Sequence, residues 1–409
     1  MLRRSLTAGL ALAAVLVLPG AANAAGPTPT LAAGYAAGWL GRTIDPTGYV
    51  PSLGGPEYNT TALAVLALVS AGVGEDQAAA ATTFLMSHVD DYVVDSGSAD
   101  RPAALATLIL VMHARSLDPT ALVTRLLATK QTSGADTGLF GSQDATYDGA
   151  YRQAMSLLAL DAVGQTDAAA VAWLKAEQCA DGGWMGNRPD QSAPCPAFDA
   201  NTFVGEDSNG TALAAQALVA LGETPAQDPL DFLADSQNTD GGFAFVPGFD
   251  SDANSTALAI QALTASGEDL ADWSAPDGTP YEFLLSLQLG TPAASAGALV
   301  FQPGGTANAF ATVQAVPALT GKAFPLAPAT LSNTLPTFPP PPVVAPTPTA
   351  SPTVEPEPDV IATQVPTLPE TGGFGQKPWD ATGVAVLGLG ILGYGVLALG
   401  VAHVVRRRG

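Results

Sequence analysis

The sequence is poor in positive charge, in metal-binding side chains and in aromatic rings. Its 409 residues include 15 Lys/Arg against 37 Asp/Glu, a formal net charge of −22. A chain this acidic repels phosphate backbones, which argues against a nucleic-acid partner and fits solubility outside the cell. Histidine occurs three times (His88, His113, His403) and cysteine twice (Cys179, Cys195), little from which to build a transition-metal centre. Aromatic residues make up 7%, few for a cavity that would steady carbocations on ring faces. Apolar residues, in contrast, reach 47% with only 13% charged, enough for a sizeable core.

The two ends read as targeting segments. Residues 1–24 have a basic start at Arg3 and Arg4, an apolar stretch from Leu10 to Leu18, and a small-x-small site at Ala22-Asn23-Ala24. That order is expected of a secretory signal peptide. Near the other end come Leu368-Pro369-Glu370-Thr371-Gly372, an uncharged apolar run over 383–402, and a basic tail over 403–409 with Arg406-Arg407-Arg408. The run is long enough for one membrane crossing, and the positive-inside tendency keeps the tail in the cytoplasm. The three parts together resemble the sortase sorting signal of cell-wall-anchored proteins. The resemblance implies a sortase as partner, cleavage between Thr371 and Gly372, and attachment on the outer face of the cell; a plain membrane anchor is the alternative. Residues 327–367 are rich in Pro, Thr, Ala and Val, with Phe338-Pro339-Pro340-Pro341-Pro342 among them. At ~3 Å per residue, such a disordered stalk would span on the order of 120 Å.

Residues 25–326 are repetitive. An aromatic-Leu or Leu-Leu pair, a Gln and a Gly-rich turn ending in an aromatic recur as Trp173-Leu174…Gln178…Gly182-Gly183-Trp184 and Phe232-Leu233…Gln237…Gly241-Gly242-Phe243. Looser copies begin at Trp39, Phe84, Leu126 and Phe283. A second pattern follows each: Asn59-Thr60-Thr61-Ala62-Leu63, Asn209-Gly210-Thr211-Ala212-Leu213, Asn254-Ser255-Thr256-Ala257-Leu258, and weaker copies near Arg101, Tyr151 and Ala307. The spacing, roughly 42 to 58 residues, fits a helix pair with its loops. The first helix is amphipathic. The second is apolar on nearly every side and must be buried. Polar Asn, Ser and Thr at its start supply N-caps. Six buried helices ringed by six amphipathic ones predict an all-α, α6/α6 toroid.

These repeats resemble the QW repeats of terpenoid cyclases, and the whole unit is similar to the α/α toroid of squalene cyclases, protein prenyltransferase β-subunits and the cobalamin carriers. The resemblance implies a ligand site at the barrel mouth, where the inner helices begin. Cyclase chemistry needs Asp-x-Asp-Asp before Thr-Ala. The nearest segment, Asp250-Ser251-Asp252-Ala253-Asn254-Ser255-Thr256-Ala257, puts Asn254 where the proton-donating Asp belongs, and an amide cannot protonate a polyene. The prenyltransferase zinc set has no match either: Cys179 and Cys195, sixteen positions apart in an exported chain, are expected to form a loop disulfide. Carboxylates at Asp144, Asp148, Glu206, Asp207, Asp250 and Asp252 could suit calcium, but without the spacing of an EF-hand loop. The run from Asn254 to Leu263 is similar to inner-helix starts of the cobalamin carriers. That similarity implies ligand contacts at Asn59, Tyr151, Asn209 and Asn254, with Asp148, Asp207 and Asp252 just before them. Helix capping is the competing role for every one of these residues. The sequence therefore leads to a non-catalytic module for a corrinoid-like or other small ligand, with a superfamily enzyme and an adhesion or scaffold module as alternatives. It names no cofactor.

Overall fold

The computed structural model describes residues 27–142, 149–188, 195–199, 201, 204–291 and 294–339. The signal segment, the sorting motif (Leu368 to Gly372), the apolar run, the basic tail and Asp148 lie outside them. Helices α1 (Pro29–Thr43) and α2 (Tyr58–Ala71) form the first pair, joined through a two-residue hairpin, β1 (Pro51–Ser52) and β2 (Gly55–Pro56). Then come α3 (Glu75–Ser87), the one-turn α4 (Val89–Val93) and α5 (Pro102–Ala114). The third and fourth pairs are α6 (Thr120–Ala128) with α7 (Ala150–Ala162), and α8 (Ala168–Ala176) with α9 (Ser208–Ala220). Strands β3 (Trp184–Met185) and β4 (Glu206–Asp207) form an antiparallel bridge inside the fourth. Helices α10 (Pro229–Asp235) with α11 (Ala253–Ser266), and α12 (Pro280–Ser286) with α13 (Ala309–Leu319), complete six pairs.

The second helices form a closed ring: α2 packs on α5, α5 on α7, α7 on α9, α9 on α11, α11 on α13, and α13 back on α2. These are the Ala- and Leu-rich helices, and α5 is buried at every position but His113. The first helices pack outside, each bringing its aromatic or Leu partner inward: Phe84-Leu85, Leu126, Trp173-Leu174, Phe232-Leu233 and Phe283-Leu284 are all buried. The molecule is thus an α/α toroid, as the periodicity predicts.

One hydrogen bond recurs through the ring. Numbering each inner helix from its N-cap, the fourth residue takes the backbone N–H of the turn that precedes the helix. Val50 donates to Thr61 Oγ1 (2.9 Å), Trp184 to Thr211 (2.9 Å), Phe243 to Thr256 (2.8 Å) and Leu299 to Thr312 (2.9 Å). In α7 the Gln153 Oε1 takes this role from Phe140 (3.0 Å). Each bond satisfies a buried N–H that no ladder reaches, and so ties the outer turn to the inner helix in five of the six pairs; α5 has Leu105 at this position. The repeat glutamines stitch the next junction: Gln178 donates to Gly182 O and Gln227 O, and Gln237 to Gly241 O and Trp273 O. Gln288 donates to Ala32 O at 2.8 Å, joining the last repeat to the first. Glycine is required in these turns. Gly182 has φ +94°, and a Cβ there would fall on the Asp228 carbonyl oxygen.

The stalk is expected to begin at residue 327, but residues 327–339 lie against the toroid. After α13 the chain returns through Phe324, whose N–H meets Gln216 Oε1 at 3.2 Å inside α9. Ser332 pairs with the α2–α3 loop through Gly72 O and Glu75 N. The chain then follows α1: Leu335 rests on Gly41, Pro336 on Gly38 and Gly34, and Phe338 on Tyr35 with ring centroids 4.9 Å apart. Pro336 O accepts from Arg42, and Pro339 O from Thr291 of the sixth pair. The prolines keep this strap extended, while Leu331, Leu335 and Phe338 supply apolar anchors that a purely polar stalk would lack.

Candidate functional site

The N-caps of the six inner helices, in ring order, are Glu57, Arg101, Gly149, Asp207, Asp252 and Asn308. Two residues on, the second helical position holds Asn59, Ala103, Tyr151, Asn209, Asn254 and Phe310. At about 100° per residue, this position lies some 160° around the helix from the fourth, which faces the outer turn. It therefore faces the barrel axis. Four of the predicted ligand residues (Asn59, Tyr151, Asn209, Asn254) thus form one tier of the mouth, and Asp207 and Asp252 form the tier before it on adjacent helices.

The two aspartates are caps. Asp207 accepts from Gly210 N (2.7 Å) through Oδ1 and from Gly186 N (2.9 Å) through Oδ2. Asp252 accepts from Asn254 N and Ser255 N (both 2.9 Å) through Oδ1, and from Ser255 Oγ (2.8 Å) through Oδ2. Both side chains are buried, and burial pushes each acid up to about 6 against the downward pull of its hydrogen bonds. With every carboxylate oxygen engaged by a donor, neither is presented to a cation or a polyene. Next to them Glu206 is pushed up to about 8 by burial and by the carboxyl of Asp181.

The asparagines differ. Asn59 accepts the Tyr92 hydroxyl at 2.9 Å and is thereby satisfied within the fold. Asn209 and Asn254 are 4% and 3% exposed, yet their Oδ1 atoms have no hydrogen-bond donor among the described residues. Tyr151 is half-buried on the same tier. A buried acceptor without a donor is uncommon and calls for an explanation. Here two occur side by side, at the same level of neighbouring helices.

Cys179 and Cys195 form the expected disulfide, with Cα atoms 5.7 Å apart. The Glu206 carboxylate lies beside their sulfurs, but sulfurs bonded to each other offer no thiolate to a metal. His88 caps α3 and stacks on Phe84, while His113 sits in the last turn of α5. Sequence reasoning passed over Gln216, Gln261 and Gln314, which project from inner helices and are buried. A glutamine set in a run as apolar as Ala259-Ile260-Gln261-Ala262-Leu263 was the available signal.

No protein family matches the sequence, and no curated protein matches it. Among solved structures, the chain is similar to Candida albicans protein geranylgeranyltransferase-I complexed with GGPP, with a TM-score of 0.39 and 12% identity over 63% of this chain and 83% of that one. A likeness at that level bears on neither chemistry nor ligand, and the toroid assignment stands on the closed ring of inner helices.

Proposed function

We propose that this chain is a non-catalytic binding module of the terpenoid cyclase/prenyltransferase toroid superfamily, displayed outside the cell on a stalk, that takes a small corrinoid-like or other polar ligand at the barrel mouth. One observation carries the reading: the paired, buried Oδ1 atoms of Asn209 and Asn254, which have no donor among the described residues. Leaving such acceptors unmet costs about 1–3 kcal/mol each, and a ligand donating to both would recover it. The resemblance to the sortase signal supports the surface location.

Cobalamin titration into the full chain, followed by its absorption spectrum and by calorimetry, tests the corrinoid form. Saturable binding that Asn209→Ala and Asn254→Ala weaken supports it, and an unchanged spectrum ends it. A superfamily enzyme is the second reading, favoured by two buried acids whose pKa approaches neutrality. Against it stands the full set of donors around Asp252. Turnover of a polyprenyl substrate that Asp252→Asn abolishes would reverse this order.

A further inference from the structure

The disulfide has an acid beside it. An oxygen of the Glu206 carboxyl lies within 4.8 Å of both Cys179 Sγ and Cys195 Sγ. Among the described residues, the charged group that bears on Glu206 is Asp181, to which it is hydrogen-bonded. Its neighbour on β4, Asp207, is engaged instead with the N–H groups of Gly186 and Gly210. Two carboxyls hydrogen-bonded to each other share one proton, because two carboxylates offer no hydrogen between them. Asp181 Oδ1 already accepts from Gly183 N at 3.1 Å, so Asp181 is the acceptor and Glu206 keeps the proton.

The two sulfurs are not equivalent. Cys179 is 3% exposed, whereas Cys195 is partly exposed. Cys195 also stands at φ +54°, a left-handed conformation that residues other than glycine seldom adopt. Freed from the bridge, it can leave that conformation. An attacking thiolate therefore reaches Cys195, and Cys179 is the sulfur that leaves. A thiolate at Cys179 would be enclosed and two residues from Asp181, and both features disfavour negative charge. A neighbouring proton removes that obstacle.

We propose that the Cys179–Cys195 disulfide is a site of reduction by dithiols, with Glu206 as the acid that protonates the leaving sulfur. A thiolate of the dithiol attacks Cys195 Sγ, forms a mixed disulfide and breaks the bond between the two cysteines. The bonding pair goes to Cys179 Sγ, which takes the Glu206 proton directly or through one water. The second sulfur of the dithiol, as a thiolate, then attacks its own first sulfur in the mixed disulfide. Cys195 leaves as a thiolate that water protonates, and Glu206 recovers its proton from solvent. The protein gains two electrons and two protons, and the dithiol ends as a cyclic disulfide. The site is separate from the mouth reading, and neither depends on the other.

The test uses the full chain in lipid nanodiscs whose scaffold has no cysteine, with dithiothreitol as the probe. The chain has two cysteines, so trapping with iodoacetamide and weighing the intact protein counts the reduced molecules over time. Each rate constant is divided by the dithiothreitol thiolate present at that pH. The rate is expected to rise in proportion to dithiothreitol. A rate independent of its concentration would mean that the bond opens only through unfolding, and would overturn the proposal. For the parent, the thiolate-based constant is expected to stay level up to about pH 8 and to fall above it, as Glu206 loses its proton. Glu206→Gln is expected to react about tenfold more slowly at pH 7, less than most general acids contribute because a thiolate also leaves unaided. It should show no fall at high pH. Asp181→Asn keeps the acid but removes the charge that raises it, so the fall should move to lower pH. A parent without the fall, or Glu206→Gln matching the parent in rate and profile, would overturn the proposal. If Glu206→Gln fails to form the bond, the parent profile and Asp181→Asn still decide.

Discussion

Replacing Asp252 by Asn tests whether burial or the helix dipole governs the capping acids. The usual N-cap aspartate is stabilised as an anion by the helix dipole and by its N–H donors, so its pKa falls. Asp252 has those donors but is fully enclosed, and burial wins, raising it from 3.8 to about 6. Between pH 4 and 6 the native state therefore binds more protons than the unfolded chain, and its stability falls as pH rises through that window. At 1.36 kcal/mol per pKa unit, the loss from this one group is about 3 kcal/mol, complete by roughly pH 7. Asparagine caps nearly as well as aspartate, and its Oδ1 can keep both backbone donors. Denaturant unfolding of the two proteins at pH 4, 5, 6 and 7 gives the difference in stability, in which the other titrating groups cancel. Because pH 4 already lies above the unfolded value, the variant is expected to gain about 2 kcal/mol on the parent between pH 4 and 7. Parallel curves, or a parent that gains with rising pH, would refute the burial argument and return Asp252 to an ordinary cap.

Further perturbations address the remaining parts. Thr256→Val keeps the shape but strips the acceptor from the buried Phe243 N–H, and is expected to cost ~1–3 kcal/mol in denaturant unfolding. Gly38→Ala would ordinarily stabilise a helix. Here its Cβ falls on the Pro336 carbonyl oxygen, so the strap should lift and limited proteolysis should cut within residues 327–339 sooner than in the parent. If a sortase acts on the chain, Thr371→Ala should abolish its covalent attachment to the cell wall; a parent that already fractionates with the membrane, and a variant that does the same, would leave only the plain membrane anchor.

The six repeats were legible because each states its role twice, once as an apolar pair on an outer helix and once as a polar start on an inner one. Both halves recur in order even where the turn is degenerate, as around Phe84 and Arg101. The disulfide was legible from the spacing of the two cysteines and from the export that the N-terminal segment leads one to expect. The strap was not, since Pro and Thr predict an extended chain whether or not it has somewhere to dock, and its dock, the glycine face of α1, lies some 300 residues away in sequence. The raised acids were hidden for a related reason. An Asp before a helix reads as a cap in any context, and its pKa depends on enclosure by residues from neighbouring repeats. The buried glutamines Gln216, Gln261 and Gln314 were hidden because they sit on three helices, and only closure of the ring brings those helices together.

The central claim is that the toroid holds a small molecule. Native mass spectrometry of the full chain purified from its own host tests it most directly. The account predicts a mass above that of the mature, disulfide-bonded polypeptide, released on denaturation and reduced in the Asn209→Ala/Asn254→Ala double variant. A parent that flies at its polypeptide mass alone, and stays there after incubation with extracts of its growth medium, would contradict the account and return the toroid to a structural or adhesive role.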